Sequence, residues 1–196
     1  MKKIILFLAA FCFIQSVAFS QMKEYANEIK LNVLTSLLLC PEINYERVKT
    51  DYFETPESFG FGLSVAASFL GSDPESDFSK IIAQIYGKYR IIPYCRFYFG
   101  KSDEFFYHTA LKRPNLFFIE INAAVIGGYG YHDSYDNDDD NGFENRTLFG
   151  LGLAVGKKFK NSKNLAEMYL GVGGGNSDFK SIDFYLRLGV NLGRRF

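Results

Sequence analysis

The clearest hydrophobic pattern lies at the end of the chain, between Ile182 and Phe196. Six consecutive even positions, from Ile182 to Leu192, are apolar, whereas the odd positions between them are polar or glycine, apart from Tyr185. A period of two places the two sets on opposite faces of a β-strand. The pattern therefore predicts a terminal strand with one apolar face.

Seven earlier segments alternate in a similar way and are separated by turn-like sequence. With the last segment they predict eight strands, at residues 28–36, 41–48, 59–69, 81–99, 116–131, 147–159, 165–173 and 182–196. We expect a bulge at Pro93 in the fourth strand, because proline cannot donate to a strand ladder. Eleven strand residues tilted by about 40° rise roughly 28 Å, close to the apolar band of a membrane barrel. The chain is therefore predicted to be all-β, an eight-stranded antiparallel up-and-down transmembrane β-barrel.

The first 20 residues have the composition of a cleaved export signal. A basic start, Lys2-Lys3, precedes an apolar run of eleven residues, and Ala18-Phe19-Ser20 offers small residues at a cleavage site. The run is too short for a transmembrane helix, which needs roughly 20 apolar residues. We expect cleavage before Gln21 and one barrel domain over residues 21–196.

Composition supports a barrel whose bulky side chains face lipid. The chain has 21 Phe, 13 Tyr, no Trp and 18 Gly. Aromatic residues suit an outward strand face, and small residues suit a narrow interior. A soluble sandwich or a lipocalin-like cup is the alternative, but the glycine, serine and alanine on the inward face of two strands are a poor lining for a ligand cup. The net charge of +0 gives no electrostatic reason to expect a nucleic-acid partner.

An even number of strands behind an exported N-terminus places both termini in the periplasm. The outer loops are then expected at residues 37–40, 70–80, 132–146 and 174–181, and the inner turns at 49–58, 100–115 and 160–164. The turn 100–115 is longer than the short periplasmic turns of such barrels, and the sequence offers no reason for it. Cys40 is expected near the outer rim and Cys95 near the inner rim. A disulfide needs Cα atoms within about 7 Å, so we predict two free thiols.

Charged residues of both signs occur on the predicted inward faces. Three cations and three anions fall in the middle or the periplasmic half of the barrel: Lys30, Glu46, Arg96, Glu120, Glu167 and Arg187. A charge screened from water is costly unless it is paired, so we predict a neutral plug of ion pairs. A narrow ion-conducting path is the alternative. Glu42, Lys88 and Arg90 are expected to lie higher and to continue the network toward the outer rim.

The predicted third outer loop is acidic, and its charges are Asp133, Asp136, Asp138, Asp139, Asp140 and Glu144. Its spacing fails as a calcium loop, because Gly142 as the sixth position would put Asn137 first and Leu148 twelfth. We expect a solvated loop, or one in which divalent ions bridge it to lipopolysaccharide phosphates. We expect no resident metal site and no cofactor.

One catalytic alternative concerns the same loop. His132, Ser134 and Glu144 loosely resemble the motif of outer-membrane lipid A deacylases, in which His and Ser lie two residues apart near a barrel rim. That resemblance implies a lipid-modifying enzyme with a serine nucleophile, which needs a base within hydrogen-bond reach. The residues that surround the motif in that family are absent here, so we expect no catalytic residues.

Over residues 28–196 the chain resembles the small eight-stranded OmpA/OmpX-like outer-membrane barrels of Gram-negative bacteria. The segments that carry the resemblance are Asn44-Tyr45-Glu46-Arg47, Tyr94-Cys95-Arg96-Phe97-Tyr98-Phe99 and Leu186-Arg187-Leu188-Gly189-Val190-Asn191-Leu192. The resemblance implies insertion by the barrel assembly machinery, which reads a last strand ending in an aromatic residue, here Phe196. It implies a non-enzymatic protein that contacts outer-membrane lipid and lipopolysaccharide. Such a protein could stabilise the membrane, display loops, or serve as an accessory subunit of a larger envelope complex.

Overall fold

The computed structural model describes residues 25–49, 59–69, 86–99, 115–132, 142–161, 163–177 and 181–196. The expected signal segment and cleavage site lie outside them, as do most of the long turn 100–115 and of the acidic loop. The described residues form one short helix and eight strands: β1 Tyr25–Asn32, α1 Val33–Leu37, β2 Glu42–Lys49, β3 Phe59–Ala67, β4 Tyr89–Phe99, β5 Asn115–His132, β6 Gly142–Asn161, β7 Asn164–Ser177 and β8 Ser181–Arg195.

The eight strands form one closed antiparallel barrel in which each strand pairs with the next in sequence. The barrel is closed by β1 and β8, which pair from Glu28 opposite Arg195 to Asn32 opposite Asn191. The predicted all-β, eight-stranded up-and-down architecture is therefore confirmed. We call the end where β1 begins and β8 ends the terminal end, and the other end the opposite end.

The strands are strongly staggered around the barrel. A path from partner to partner, starting at Asn191, passes Asn32, Glu42, Ala66, Arg90, Ile126, Leu148 and Ser177 and returns to β8 at Ser181. It returns ten positions from its start, because residues 191 and 181 both belong to β8. A stagger of this size tilts the strands by roughly 40° from the barrel axis. An eight-stranded barrel has an interior that side chains alone can fill.

The two faces of the sheet differ sharply in chemistry. Outward apolar side chains such as Leu151, Leu170 and Val155 are 72%, 62% and 60% exposed, whereas most inward side chains are buried. The alternation predicted from the sequence is confirmed on all eight strands for the side chains that the structure describes. The barrel is therefore apolar outside and largely polar inside.

The outward aromatic rings gather toward the two ends of the barrel. At the terminal end they include Phe59, Phe61, Phe97, Phe99, Phe117, Phe159 and Phe196, and at the opposite end Phe69, Tyr89, Phe149 and Phe184, whereas Tyr45 lies between the two groups. The outward positions between these two groups are mainly Ile, Leu and Val. We call this whole outer surface the apolar belt.

In the part of the chain that the structure describes, no helix is both long enough and apolar enough to cross a membrane.

β1 ends and β4 begins several residues away from the predicted positions. β1 stops at Asn32, and residues 33–36, predicted as strand, lie in α1 instead. Asn32 explains the change, because its side chain accepts a hydrogen bond from the Thr35 amide and caps the helix. β4 begins at Tyr89 rather than at residue 81. Gly87 has a φ of 64°, which turns the chain just before the strand.

The bulge predicted at Pro93 is wrong. Ile91 pairs with Val125 and Tyr94 with Asn122, so the same number of residues separates these pairs on β4 and on β5. A bulge would add a residue on one strand. Pro93 itself pairs with Leu63 in an unbroken register with β3, so the ladder there is continuous.

Strands β5, β6 and β7 are longer than predicted and take up much of two expected outer loops. β6 begins at Gly142 and β7 ends at Ser177. The register between β5 and β6 shifts between Gly127 and Tyr131, where Gly128 has a φ of 64°. Because these irregularities interrupt the strict two-residue alternation, the sequence pattern did not predict the longer strands. The expected inner turn 160–164 is also shorter, because both flanking strands reach into it.

Candidate functional site

The interior of the barrel holds charged side chains in balanced numbers. Among the residues that the structure describes, ten are buried, each at most 3% exposed: the cations Lys30, Arg90, Arg96, Lys158 and Arg187, and the anions Glu28, Glu42, Glu46, Glu120 and Glu167. Five charges of each sign make this interior set electrically neutral. Buried charges are tolerated when they are paired and hydrogen-bonded, so their contacts decide how the site is held.

Lys30 is the centre of the contacts in the terminal half. Its ammonium donates to Glu46, lies 2.7 Å from Glu167 Oε1, and lies 3.4 Å from Glu28 Oε2. Lys158 Nζ, on the far side of Glu28, is 2.8 Å from Glu28 Oε2. Two ammonium groups and three carboxylates thus occupy one dry cluster, which we call the lysine cluster.

Arg96 extends this cluster across the barrel. Its Nη1 donates to Glu46 Oε2 at 3.0 Å and to Glu167 Oε2 at 2.8 Å, and its Nε donates to Glu120 Oε2 at 2.8 Å. Arg96 Cζ lies 4.3 Å from the centre of the Phe118 ring. The planar guanidinium uses two of its nitrogens, Nη1 and Nε, to bind three carboxylates at once.

Glu120 joins the two halves of the interior network. Its second oxygen, Oε1, accepts from Arg187 Nε at 2.9 Å, and Arg187 Nη1 donates in turn to Glu42 Oε1 at 2.5 Å. Glu42 also accepts from the Ser64 hydroxyl at 2.6 Å. A continuous set of ion pairs therefore connects nine of the ten buried charges, from Glu28 and Lys158 to Arg187 and Glu42; we call it the ion-pair network.

Arg90 is bound differently from the other interior cations. In the described residues no carboxylate oxygen lies within 4.0 Å of its guanidinium, and its contact with Tyr86 is to the ring, at 4.9 Å. Its Nη2 instead donates to the main-chain oxygen of Leu186 on β8 at 2.6 Å. This side chain spans the barrel to reach a strand edge.

That edge exists because β1 is short. Asn27 and Phe196 exchange both main-chain hydrogen bonds, so even residues of β8 point their main-chain groups toward β1. Since β1 ends at Asn32, which pairs with Asn191, no strand of β1 lies opposite Val190, Leu188 and Leu186. Asn32 replaces the missing strand in part, because its amide donates to Leu188 O at 3.3 Å and accepts from the Val190 amide at 3.2 Å. Asn32 and Arg90 thus bind three main-chain groups of this open seam.

Three glutamates of the lysine cluster could in principle form a metal site. Oxygens of Glu28, Glu46 and Glu167 lie within 4.8 Å of one another, and carboxylate oxygens are the ligands that Ca²⁺ and Mg²⁺ prefer. The Lys30 ammonium contacts all three carboxylates, however. The Lys30 ammonium therefore occupies the place between the three carboxylates that a metal ion would take.

The structure brings together all six interior residues chosen from the sequence, from Lys30 to Arg187. It adds Glu28 and Lys158, which the sequence reasoning missed although they share the inward parity of their strands. Both lie at or beside the ends of the predicted strands, 28–36 and 147–159, and a charge at a strand end is ordinarily solvated. Lys88, expected in the lumen, is exposed instead. It precedes β4 at the turn made by Gly87.

Most of the acidic loop lies outside the described residues, including Asp133, Asp136, Asp138, Asp139 and Asp140. Ser134 also lies outside them, so both the cation-bridging and the catalytic interpretations stay predictions. Of His132 and Glu144 the structure gives the strand position alone, at the ends of β5 and β6.

Cys40 and Cys95 are free thiols, as predicted. Cys40 is buried at the opposite end and Cys95 is exposed on the outer face of β4. Burial raises the pKa of the Cys40 thiol, which keeps it protonated at neutral pH. Phe196, the expected assembly signal, follows β8 with its ring 67% exposed.

Comparisons of the chain with protein-family models, with curated proteins and with solved structures each found no match. Two features of the barrel bear on its function: the apolar belt outside and the ion-pair network inside.

Proposed function

We propose that this protein is a non-enzymatic β-barrel of a bacterial outer membrane, with both termini in the periplasm and a lumen closed by ion pairs. The observation that carries the proposal is the reversed distribution of polarity. Soluble proteins almost never bury Lys, Glu or Arg fully unless these are paired, and they rarely expose large contiguous apolar patches. Here the buried set is charged, and the exposed set is aliphatic and aromatic.

The dimensions of the apolar belt support a bilayer as its surroundings. On β8 the outward apolar residues run from Phe184 to Leu192, which at a tilt of about 40° covers roughly 20 Å along the axis. Aromatic rings flank this span at both ends. Membrane barrels carry an apolar band of about 25 Å between two aromatic girdles.

The role that we propose within the membrane is structural or accessory. In the part of the chain that the structure describes, the neutral interior is packed with ion pairs, which supports a closed barrel rather than an ion path. We infer insertion by the barrel assembly machinery and, as the working role, association with a larger outer-membrane complex. The OmpA/OmpX-like resemblance supports the same placement.

The first test is the solvent that the folded protein needs. We expect the processed chain to remain monodisperse only in detergent or lipid, and to migrate differently on gels before and after heating. We also expect protease protection of the barrel after it folds into lipid vesicles. A processed chain that stays folded and monodisperse in plain buffer contradicts the proposal.

Conductance separates a closed barrel from a narrow pore. In planar bilayers the wild-type protein should give no discrete channel events. As a comparison, Arg187→Ala removes a large buried side chain that binds Glu120 and Glu42, and it should give small events if the network closes the lumen. Steady conductance through the wild-type protein would favour the ion-conducting alternative.

The accessory role is tested by purification in mild detergent from the native envelope. We expect a larger outer-membrane protein to copurify in a fixed ratio, and to be lost in a harsher detergent. A lone monomer under the mild condition counts against this role.

The catalytic alternative has its own test. We expect the mass of lipid A in the envelope to be the same with wild-type protein and with Ser134→Ala. A mass change that the variant abolishes would instead assign lipid modification to the loop.

A further inference from the structure

The α1 helix is short and is held by few contacts. It has five residues, and three of them, Val33, Thr35 and Ser36, form helices less readily than Ala or Leu. Its first turn has no acidic residue and its last turn no basic one, so no side-chain charge stabilises the helix dipole. What holds α1 is the cap from Asn32 and the burial of Thr35. A helix of this length and composition has little stability of its own.

The residue that leads from α1 toward β2 is strained. Leu39 has a φ of 57°, and among the described residues it is the only one other than glycine with a positive φ. The left-handed region is unfavourable for leucine, because the Cβ atom approaches the carbonyl oxygen that follows it. The side chain is 55% exposed, so its burial does not compensate for the strain. A different conformation of this segment would relieve it.

Two main-chain groups of the open seam are left without a partner. Asn32 binds the carbonyl oxygen of Leu188 and the amide of Val190. The hydrogen bonds of the described residues provide no partner for the Leu188 amide or for the Val190 carbonyl oxygen. Both residues belong to the apolar belt. Unpaired main-chain groups are costly in hydrocarbon, where water cannot replace the missing partner.

The register between β1 and β8 shows which residues could pair with these two groups. Continued by three residues, it places Val33 opposite Val190 and Thr35 opposite Leu188. Odd residues of β1 direct their main-chain groups toward β8. An extended Thr35 would therefore offer its carbonyl oxygen to the Leu188 amide, and an extended Val33 would offer its amide to the Val190 carbonyl oxygen.

The register between β1 and β2 leads to the same conformation. Continued in the same way, it places Thr35 opposite Leu39 and leaves residues 36–38 as the turn. Leu39 would then be a strand residue with a negative φ, which removes its strain. The two arms of this hairpin are already adjacent, because the Cys40 amide donates to the Thr35 carbonyl oxygen at 2.9 Å.

We propose that residues 33–35 have a second conformation, in which α1 unwinds and β1 extends to Thr35 and completes its ladder with Leu188 and Val190. The inference rests on the proposed membrane location, because hydrocarbon makes the unpaired groups costly. The seam is open toward the apolar belt when α1 is formed and closed when β1 is extended. Asn32 favours the open form, since its side chain caps α1 and binds the main-chain groups that the extended strand would need.

The test is nuclear magnetic resonance of the full barrel in lipid nanodiscs. Cα chemical shifts of residues 33–35 distinguish helix from strand, and saturation transfer detects a minor conformation that exchanges with the major one. We expect a minor conformation with strand shifts at residues 33–35 and at Leu39. The Leu188 amide should exchange at the same rate, because a single motion makes and breaks its hydrogen bond.

Two variants should move the equilibrium in opposite directions. Asn32→Ala removes the helix cap and should raise the extended population several-fold. Leu39→Gly relieves the strain while α1 is formed, and should lower that population several-fold without disturbing the barrel. Asn44→Ala is the control, since it removes a buried amide of β2 that contacts neither α1 nor the seam, and it should leave the population unchanged.

A single helical conformation of residues 33–35 in both the wild-type protein and Asn32→Ala overturns the inference. Exchange at residues 33–35 that the Leu188 amide does not share also overturns it, because the motion would then not complete the ladder. Both results leave membrane insertion intact. Failure of the wild-type barrel to insert into lipid is a separate result and contradicts the proposed function.

Discussion

The two halves of the barrel are closed in different ways. In the terminal half β1 and β8 pair over five positions, and the interior between them is filled by the lysine cluster and Arg96. In the opposite half β1 is replaced by α1, and the Asn32 and Arg90 side chains bind main-chain groups of β8. Where the ladder is complete, charged side chains bind one another. Where it is missing, Asn32 and Arg90 bind the main chain, in addition to the ion pairs that Arg187 makes with carboxylates.

The open seam explains why Arg90 has no carboxylate partner among the described residues. Unpaired main-chain groups are costly in an apolar environment, so an arginine that binds the seam offsets part of that cost. The opposite half also contains the buried apolar group Ile92, Ala124, Ile126, Leu148 and Tyr185. The terminal half contains a buried apolar group of the same size, namely Val48, Tyr98, Leu116, Phe118 and Tyr169. The two halves therefore differ in charge and in main-chain pairing, whereas both contain apolar packing.

The largest expected effect follows from removing Arg96. Arg96→Met leaves Glu46, Glu120 and Glu167 without their shared partner, which should lower the free energy of unfolding by about 3–5 kcal/mol. Arg90→Met, the matched change in the opposite half, should cost only about 1–2 kcal/mol, since it orphans a main-chain oxygen and no carboxylate. Urea unfolding in lipid vesicles, followed by circular dichroism, measures both. Equal losses would mean that the two halves do not differ as described.

The next effect concerns Lys30, whose ammonium holds three carboxylates together. Lys30→Met should destabilise the barrel by about 3 kcal/mol, because the carboxylates then repel one another. It should also create a cation site from Glu28, Glu46 and Glu167. We expect added Ca²⁺ or Tb³⁺ to raise the unfolding temperature of this variant and to leave the wild-type protein unaffected.

The control for that prediction is Lys30→Met combined with Glu167→Gln, which removes one ligand and one repelling charge together. It should recover part of the stability without added metal and lose the response to Ca²⁺. An unchanged metal response in the double variant would show that the ion binds elsewhere.

Asn32 tests the open seam directly. Asn32→Ala removes the helix cap of α1 and the bonds to Leu188 and Val190, and should cost about 2 kcal/mol. Asn44→Ala is the matched control, since Asn44 is equally buried but its one side-chain contact, from Arg187 Nη2, is long at 3.5 Å. The control should cost less than about 1 kcal/mol. Similar losses in the two variants would remove the special role given to Asn32.

The sequence predicted the strands and their faces because a two-residue period is a local property. It also indicated six interior charges, since parity places them and the cost of burial requires partners. It missed Glu28 and Lys158 because a charge at a strand end has no burial signal of its own. The sequence also did not predict the open seam, since residues 33–36 form α1 instead of continuing β1, and α1 is held by contacts with Asn32 and β8. Such tertiary contacts override an alternating pattern.

The smallest effect concerns two neighbouring glycines of β7, in the half of the barrel away from the chain termini. Gly173 occupies an inward position and Gly174 an outward one. A Cβ at Gly173 would lie 2.1 Å from the Tyr185 ring, whereas the nearest atom to a Cβ at Gly174 is 3.6 Å away. Tyr185 cannot easily move, because its hydroxyl donates to Asn122 Oδ1 at 2.6 Å. Gly173→Ala should therefore cost about 1–2 kcal/mol by overpacking, and Gly174→Ala close to nothing. If both are neutral in urea unfolding, the interior of this half is packed more loosely than the contacts of Tyr185 indicate.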